Sequence, residues 1–265
     1  MANVVITGST KGIGKGLAIE FAKQGHNVCI SGRSQDDIDS CINSNPDLAE
    51  KISGITCDTT NKAQVQALWD FAKQNLGAVD IWINNAGLAR TTWSILDIPD
   101  NEISNMVNTN ILGTINCCRV AAQGMKEQGS GKLFNMLGGG SDGEYFQGMG
   151  IYGTTKRGLD YFTNALVKEL KDDNIIIGKI RPGMVITEGM VREAKQDLDD
   201  FNKRKKFANI LCDTVETVAP YLVENILKFN KSGNKIAWLN PRKITLRMIS
   251  SMVKKPKDKF AEFGL

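Results

Sequence analysis

The N-terminal stretch constrains this chain more than any other. Residues 3–7 form a short apolar run, NVVIT, followed at once by Gly8-Ser9-Thr10-Lys11-Gly12-Ile13-Gly14. A helical pattern then runs through Leu17, Ala18 and Phe21 and stops at Gly25. Strand, glycine loop and helix in that order leave few architectures open. The glycines allow a tight turn and close backbone approach, and the first turn of the helix offers free N–H groups to a pyrophosphate. An ordinary turn with surplus glycine is the alternative; the flanking strand and helix favour dinucleotide binding by residues 8–14.

The second strand, 28–31, ends at Gly32-Arg33-Ser34. An acid about 20 residues past the loop normally holds the ribose 2′-OH of NAD. Here the strand ends in a glycine, which leaves room for a 2′-phosphate, and in Arg33, which can bind one. Lys11 offers a second charge, so NADP(H) is expected over NAD(H); the plainer reading leaves both cations solvated. Asp36 and Asp37 begin the next helix. After a third strand, 52–57, Asp58 either accepts from an adenine amino group or caps helix 61–76. A fourth strand, 79–83, leads into Asn84-Asn85-Ala86-Gly87, where asparagines can tie strand ends together and small residues admit a cofactor ribose.

Residues 100–127 read as one long helix with Asn110 and Gly113 inside it, both poor interior choices that imply a kink. Strand 132–136 opens into a glycine-rich loop, 138–143; helix 151–172 and strand 175–180 follow, ending in Arg181-Pro182-Gly183-Met184-Val185-Ile186-Thr187. Alternating strands and helices predict an α/β fold: a Rossmann-type, doubly wound parallel sheet of about seven strands with helices on both faces. Such sheets bind ligands beyond the strand carboxyl ends, where these motifs lie. Residues 1–240 are expected to form one domain, with a basic amphipathic extension at 241–265.

Tyr152 and Lys156 share one face of helix 151–172. A phenol is a poor acid or base at neutral pH, with an ordinary pKa of about 10. An ammonium one turn away, together with a cationic nicotinamide, is expected to lower it. Such a tyrosine can protonate a carbonyl oxygen as hydride reaches the carbon. A Y-x-x-x-K pair alone is weak, and the upstream motifs give it weight.

At 265 residues and 42% hydrophobic content, the chain can bury a full α/β core. One histidine and six cysteines without C-x-x-C spacing give no expected metal site and exclude histidine-dependent triads. His26 reads as a turn residue, and Cys29 and Cys57 as small buried hydrophobes. No charged-then-apolar leader precedes the first strand and no run is long enough to span a bilayer, so a cytoplasmic protein is expected. The net charge of +4 implies no nucleic-acid affinity, but it is uneven: residues 241–265 hold seven Lys/Arg against two acids, and residues 1–240 hold 26 against 27.

Together these residues resemble the short-chain dehydrogenase/reductase family: T-G-x-x-x-G-x-G at 7–14, N-N-A-G at 84–87, Asn110, Y-x-x-x-K at 152–156 and P-G-x-V-x-T at 182–187. The likeness covers about residues 1–230. It implies that Tyr152 is the general acid or base, and that Lys156 lowers its pKa and holds the nicotinamide ribose. Asn110 would support a relay water, and Pro182, Gly183, Val185 and Thr187 would line the nicotinamide side of the site. Family members usually place a serine 13 residues before the tyrosine; Gly139 stands there, and the nearest hydroxyl, Ser141, is 11 before it. Phe134-Asn135-Met136, residues 140–143 and residues 152–157 further resemble chlorophyll(ide) b reductases, which reduce a ring formyl group to hydroxymethyl and share this serine spacing.

The resemblance implies an NADPH-dependent reductase of a bulky aldehyde or ketone, with a lid at 188–212 and a homodimer or homotetramer built on helices 100–127 and 151–172. An oxidative alcohol dehydrogenase and a non-catalytic NADP(H) sensor are the competing readings. Residues 241–265 could rest on an anionic membrane surface, close the pocket or meet a neighbouring subunit.

Overall fold

A computed structural model describes residues 1–265. Strands β1 (Asn3–Ile6), β2 (Asn27–Gly32), β3 (Ile52–Thr56), β4 (Ile81–Asn84), β5 (Gly131–Met136) and β6 (Ile175–Arg181) precede a short pair, β7 (Val185–Ile186) and β8 (Asp213–Thr214), and the edge strand β9 (Lys235–Ala237). Seven of them form one parallel sheet in the order β3-β2-β1-β4-β5-β6-β9; β7 and β8 pair separately. This is the doubly wound order, and it reverses between β1 and β4.

The helices are α1 (Gly12–Lys23), α2 (Gln35–Asn43), α3 (Lys62–Leu76), α4 (Asp100–Val107), α5 (Thr114–Gln128), α6 (Gly150–Glu169), α7 (Glu188–Gln196), α8 (Leu198–Leu211), α9 (Val215–Lys228) and α10 (Pro241–Val253). Strands covered on both faces read as continuous apolar runs, and side chains alternate between the two cores. Val4 and Ile6 pack with Leu17 and Phe21 of α1 and Leu222 and Ile226 of α9. Val5, between them, faces Leu68 and Trp69 of α3 and Cys117 and Met125 of α5. All six cysteines are buried and unpaired.

Several local expectations meet their physical reasons here. The kink anticipated at Asn110 and Gly113 is a π-helical segment, Asn108–Gly113, joining α4 to α5. A π turn widens the backbone ladder, a deformation common where a helix serves a site. The cap of α3 is not Asp58 but Asn61, whose side chain accepts from Ala63 N and Gln64 N. Asp58 instead accepts from Thr60 N and Thr60 Oγ1 in a local turn. His26 does lie in the α1–β2 connection, where its Nδ1 accepts from Ala2 N at 2.9 Å. Segment 188–212 is helical, α7 and α8, with the small β7–β8 pair closing its base.

Candidate active site

The glycine loop and the 84–87 turn meet at the topological switch point. Gly8 has φ +60°, and a Cβ there would stand 2.8 Å from Ala86 Cα, so only glycine admits this approach. Asn85 Nδ2 donates to Thr7 O at 3.0 Å and to Gly8 O at 2.8 Å. Thr7 Oγ1 accepts in return from Asn85 N and Ala86 N, both at 3.1 Å. Buried Ser9 ties β1 to β2, donating to Ile6 O and accepting from Ser31 N. The side chain of Thr10 lies against Gly32 at the end of β2, Ile13 packs on the core and Gly14 is buried.

At the first turn of α1, Gly12 N donates to the carboxylate of Glu188 at 3.1 Å. The loop backbone therefore accepts an anion where a pyrophosphate is expected, which fits the dinucleotide assignment. Thr187 caps α7 through Oγ1 and brings its methyl 3.4 Å from the position a Gly12 Cβ would take. Buried Val185 in β7 and Pro182-Gly183 before it, with Gly183 at φ +78°, complete this side of the crevice. Arg33 is exposed at the end of β2. Lys11 is exposed too, and pairs with Asp37 at 2.9 Å.

The second half of the site converges on α6. Lys156 is 4% exposed and its Nζ donates to Met136 O, at the end of β5, at 2.9 Å. The same Nζ lies 5.7 Å from the centre of the Tyr152 ring. Asn110 is fully buried: Nδ2 donates to Leu88 O (2.8 Å) and Thr155 Oγ1 (3.0 Å), while Oδ1 accepts from Leu88 N (2.7 Å). A Cβ at Gly87 would lie 3.3 Å from Asn110 Oδ1 and 3.6 Å from Lys156 Nζ, so these three residues crowd one point.

The residue facing the phenol is Gly138, where a Cβ would stand 2.2 Å from the Tyr152 hydroxyl. Ser141 lies farther along the loop. Gly140 packs on Gly153 of α6, and Ser141 O accepts from Arg157 at 2.9 Å. The Ser141 side chain is wholly buried and its Oγ has no hydrogen-bond partner.

Two charged residues that the sequence reading passed over complete the electrostatics. Glu193 of α7 is 8% exposed; its Oε2 accepts from Thr91 Oγ1 at 2.7 Å and its Oε1 lies 3.7 Å from Arg90. Arg181 binds Asp142 and Glu144, and Lys235 also binds Asp142, which fastens the 141–149 loop to the end of β6. Burial pushes the Tyr152 phenol up to about 12; the Glu193 charge adds to this and Arg181 opposes it. Burial pushes Lys156 down to about 8. Among the protein's own groups desolvation outweighs Arg181, so the phenol keeps its proton; the lowering expected beside a cationic nicotinamide depends on the charge of that cofactor. Neither had a spacing signal: Glu193 is one charge in a polar run, and Arg181 is a single cation at the end of an apolar strand.

These features can be set beside known proteins. A family model described as short chain dehydrogenase matches residues 2–199. The chain belongs to the short-chain dehydrogenase family. It is accordingly an oxidoreductase of the group acting on CH–OH and C=O groups. It is 35% identical to the probable chlorophyll(ide) b reductase NYC1, chloroplastic, of Arabidopsis thaliana, over 96% of this chain and 53% of that protein. It is 38% identical to the chlorophyll(ide) b reductase NOL, chloroplastic, of the same plant, over 88% of this chain and 67% of the relative. The chain thus spans about half the length of the NYC1 relative.

Among solved structures, ElxO with NADP bound superposes with a TM-score of 0.78 at 27% identity, covering 89% of this chain and 96% of its own. The closed form of a serine dehydrogenase complexed with NADP+ gives 0.77 at 25%, covering 89% and 94%. The expectation of a cytoplasmic protein is corrected by these comparisons, because the four chlorophyll(ide) b reductase relatives are chloroplastic proteins. An unremarkable N-terminus carried too little information for that assignment.

Proposed function

We propose that this short-chain dehydrogenase reduces an aldehyde or ketone on a bulky, largely apolar substrate to the alcohol with NADPH, in the manner of a chlorophyll(ide) b reductase. The observation that carries the reading is the arrangement of Tyr152 over Lys156, with the phenol turned to Gly138 and the ammonium anchored on Met136 O. When bound, NADPH supplies the hydride for the carbonyl carbon. Tyr152 gives its proton to the carbonyl oxygen as negative charge develops there. A phenol held near 12 keeps that proton on the oxygen across the neutral range. Lys156 stabilises the phenolate left behind and, with its own value near 8, is suited to returning a proton to it. Asn110 holds Leu88 and Thr155 together and so fixes the start of α6 against the 88–97 loop.

Ser141 serves as donor to the substrate oxygen. Its buried hydroxyl lacks a partner, and only two residues, Gly139 and Gly140, separate it from Gly138. Oriented donors of this kind are worth roughly 3–4 kcal/mol of barrier. Residues 8–14, Asn85, Ala86 and Gly87 hold the dinucleotide, Asp58 its adenine, and Arg33 with Lys11 the 2′-phosphate. Residues 188–212 cover the substrate. Exposed Ile95 and Leu96 of the 88–97 loop and Tyr145 and Phe146 of the 142–150 loop supply its apolar seat. A homo-oligomer forms through α4–α5 and α6, where Val107, Leu112 and Tyr161 are exposed.

Fluorescence titration with NADPH and with NADH, repeated on Arg33→Ala, tests the cofactor half of this reading. Tighter NADPH binding by about tenfold or more, lost in the variant, is expected for a charge-assisted phosphate contact. Equal binding of both dinucleotides by the parent would overturn the 2′-phosphate assignment.

A further inference from the structure

The C-terminal extension carries an apolar surface that nothing in the chain covers. Helix α10 has no buried residue. Its inner face is fastened by Arg247, which donates to Leu211 O at 3.1 Å and pairs with Asp213 at 2.8 Å. On the outer face Leu246 is 67% exposed, Ile249 54%, Met252 82% and Val253 90%. At 100° per residue these four fall within one arc of about 120°, a single stripe.

The chain beyond the helix is held, not loose. Phe260 is fully buried against Phe201 of α8, with ring centres 5.0 Å apart. Asp258 pairs with Lys205 at 2.8 Å, and Lys259 N donates to Asn209 Oδ1 at 2.8 Å. Residues 254–257 are therefore a strap pinned at both ends. They border a cleft of about 330 Å³, ten residues around, of which one is hydrophobic. Of the five cations lining it, Arg247 and Lys259 share Asp213 as their partner. Lys254, Lys255 and Lys257 are exposed and make no ion pair, and Arg242 stands exposed at the other end of the stripe.

We propose that the Leu246–Ile249–Met252–Val253 stripe and the Lys254–Lys255–Lys257 strap form a docking surface for an anionic lipid bilayer. Lying in the interface, α10 buries its stripe among acyl chains while the lysines reach the headgroup phosphates on flexible stems. No helix of the chain is long and apolar enough to cross a membrane, so the mode is surface attachment by this helix. A second copy fits the same stripe poorly. A two-fold interface sets the patch against itself, and antiparallel helices would place Arg242 of each copy beside the strap of the other. Cations would face cations at both ends, a like-charge cost that an anionic bilayer turns into attraction.

The test is co-sedimentation of the purified full chain with vesicles of phosphatidylcholine alone and with added phosphatidylglycerol, at low and high salt. Two variants accompany it, Leu246→Ser with Ile249→Ser, and Lys254→Glu with Lys255→Glu and Lys257→Glu. All five positions are exposed, and retained NADPH binding checks that the variants are folded. Binding to the phosphatidylglycerol vesicles is expected, weakened by salt and by roughly tenfold or more in each variant, with little binding to phosphatidylcholine. Absence of binding to anionic vesicles, or binding that both variants retain, would overturn the proposal. So would a drop in assembly size on gel filtration of the serine variant, which would show that a second copy covers the stripe.

Discussion

Lys156 is a lysine almost out of water, and its burial has consequences beyond the reaction. Its ammonium is held near 8, below the ordinary 10.5. Below pH 8 the folded protein therefore keeps a costly buried charge. Between about 8 and 10.5 the unfolded chain binds more protons than the folded one, so stability rises with pH through that window. The full difference is about 3 kcal/mol. Lys156→Met removes this dependence. The Tm of the variant relative to the parent should fall by roughly 5–10 °C as pH rises from neutral to about 10, read by thermal unfolding. A pH-independent difference would count against the buried, lowered lysine. Glu193 is testable in the same way: Glu193→Gln removes a negative charge that faces Tyr152, so the phenol should ionise at lower pH. Ultraviolet titration of phenolate, with Tyr152→Phe as reference, reads this directly, and an unchanged titration would remove Glu193 from the site. At this scale the sequence was legible where spacing encodes a helix face, as for Tyr152 and Lys156. Glu193 was hidden because a lone glutamate in a charged segment becomes buried only through tertiary packing. The proximity of Gly138 to the phenol was hidden because glycine-rich loop geometry is not written in residue spacing.

Elements were more readable than single contacts. The apolar runs of β1 and β4 and the helices after them followed from patterns of period and turn. The interruption of helix 100–127 followed from two residues that helices avoid, and it is a π segment. The β7–β8 pair had no signal, because two residues per strand cannot show a period. The cap of α3 is Asn61 where the sequence offered Asp58, because Asn and Asp suit the position equally. The contact between α7 and α1 yields a prediction at this scale. Glu188 accepts from Gly12 N, so a dinucleotide pyrophosphate at that turn competes with a carboxylate of the same sign. Glu188→Gln should tighten NADPH binding by roughly two- to fivefold, the usual worth of a charge at a helix terminus. Equal or weaker binding in a titration of the variant would show that Glu188 does not compete for the turn.

The molecule as a whole divides its labour by position. The sheet brings the glycine loop, the 84–87 turn and the 182–187 segment to one edge, and α6 sets Tyr152 and Lys156 across from them. Helix α7 brings Glu188 to the turn at Gly12 and Glu193 within electrostatic reach of the phenol. Charge is balanced over residues 1–240, and the excess of cations is gathered in residues 241–265. Fold and family were legible because five motifs in order constrain a whole chain, whereas cellular location was not, because no such pattern encodes it here. The most direct measurement is NADPH consumption by the purified chain with a formyl-bearing tetrapyrrole such as chlorophyllide b, run beside Tyr152→Phe. The parent should consume one NADPH per formyl group converted to hydroxymethyl. The variant should bind NADPH normally and turn over about 100- to 10,000-fold more slowly. Tight NADPH binding with no turnover of any carbonyl by the parent, and no change in the variant, would contradict the reductase account and leave a binding protein in its place.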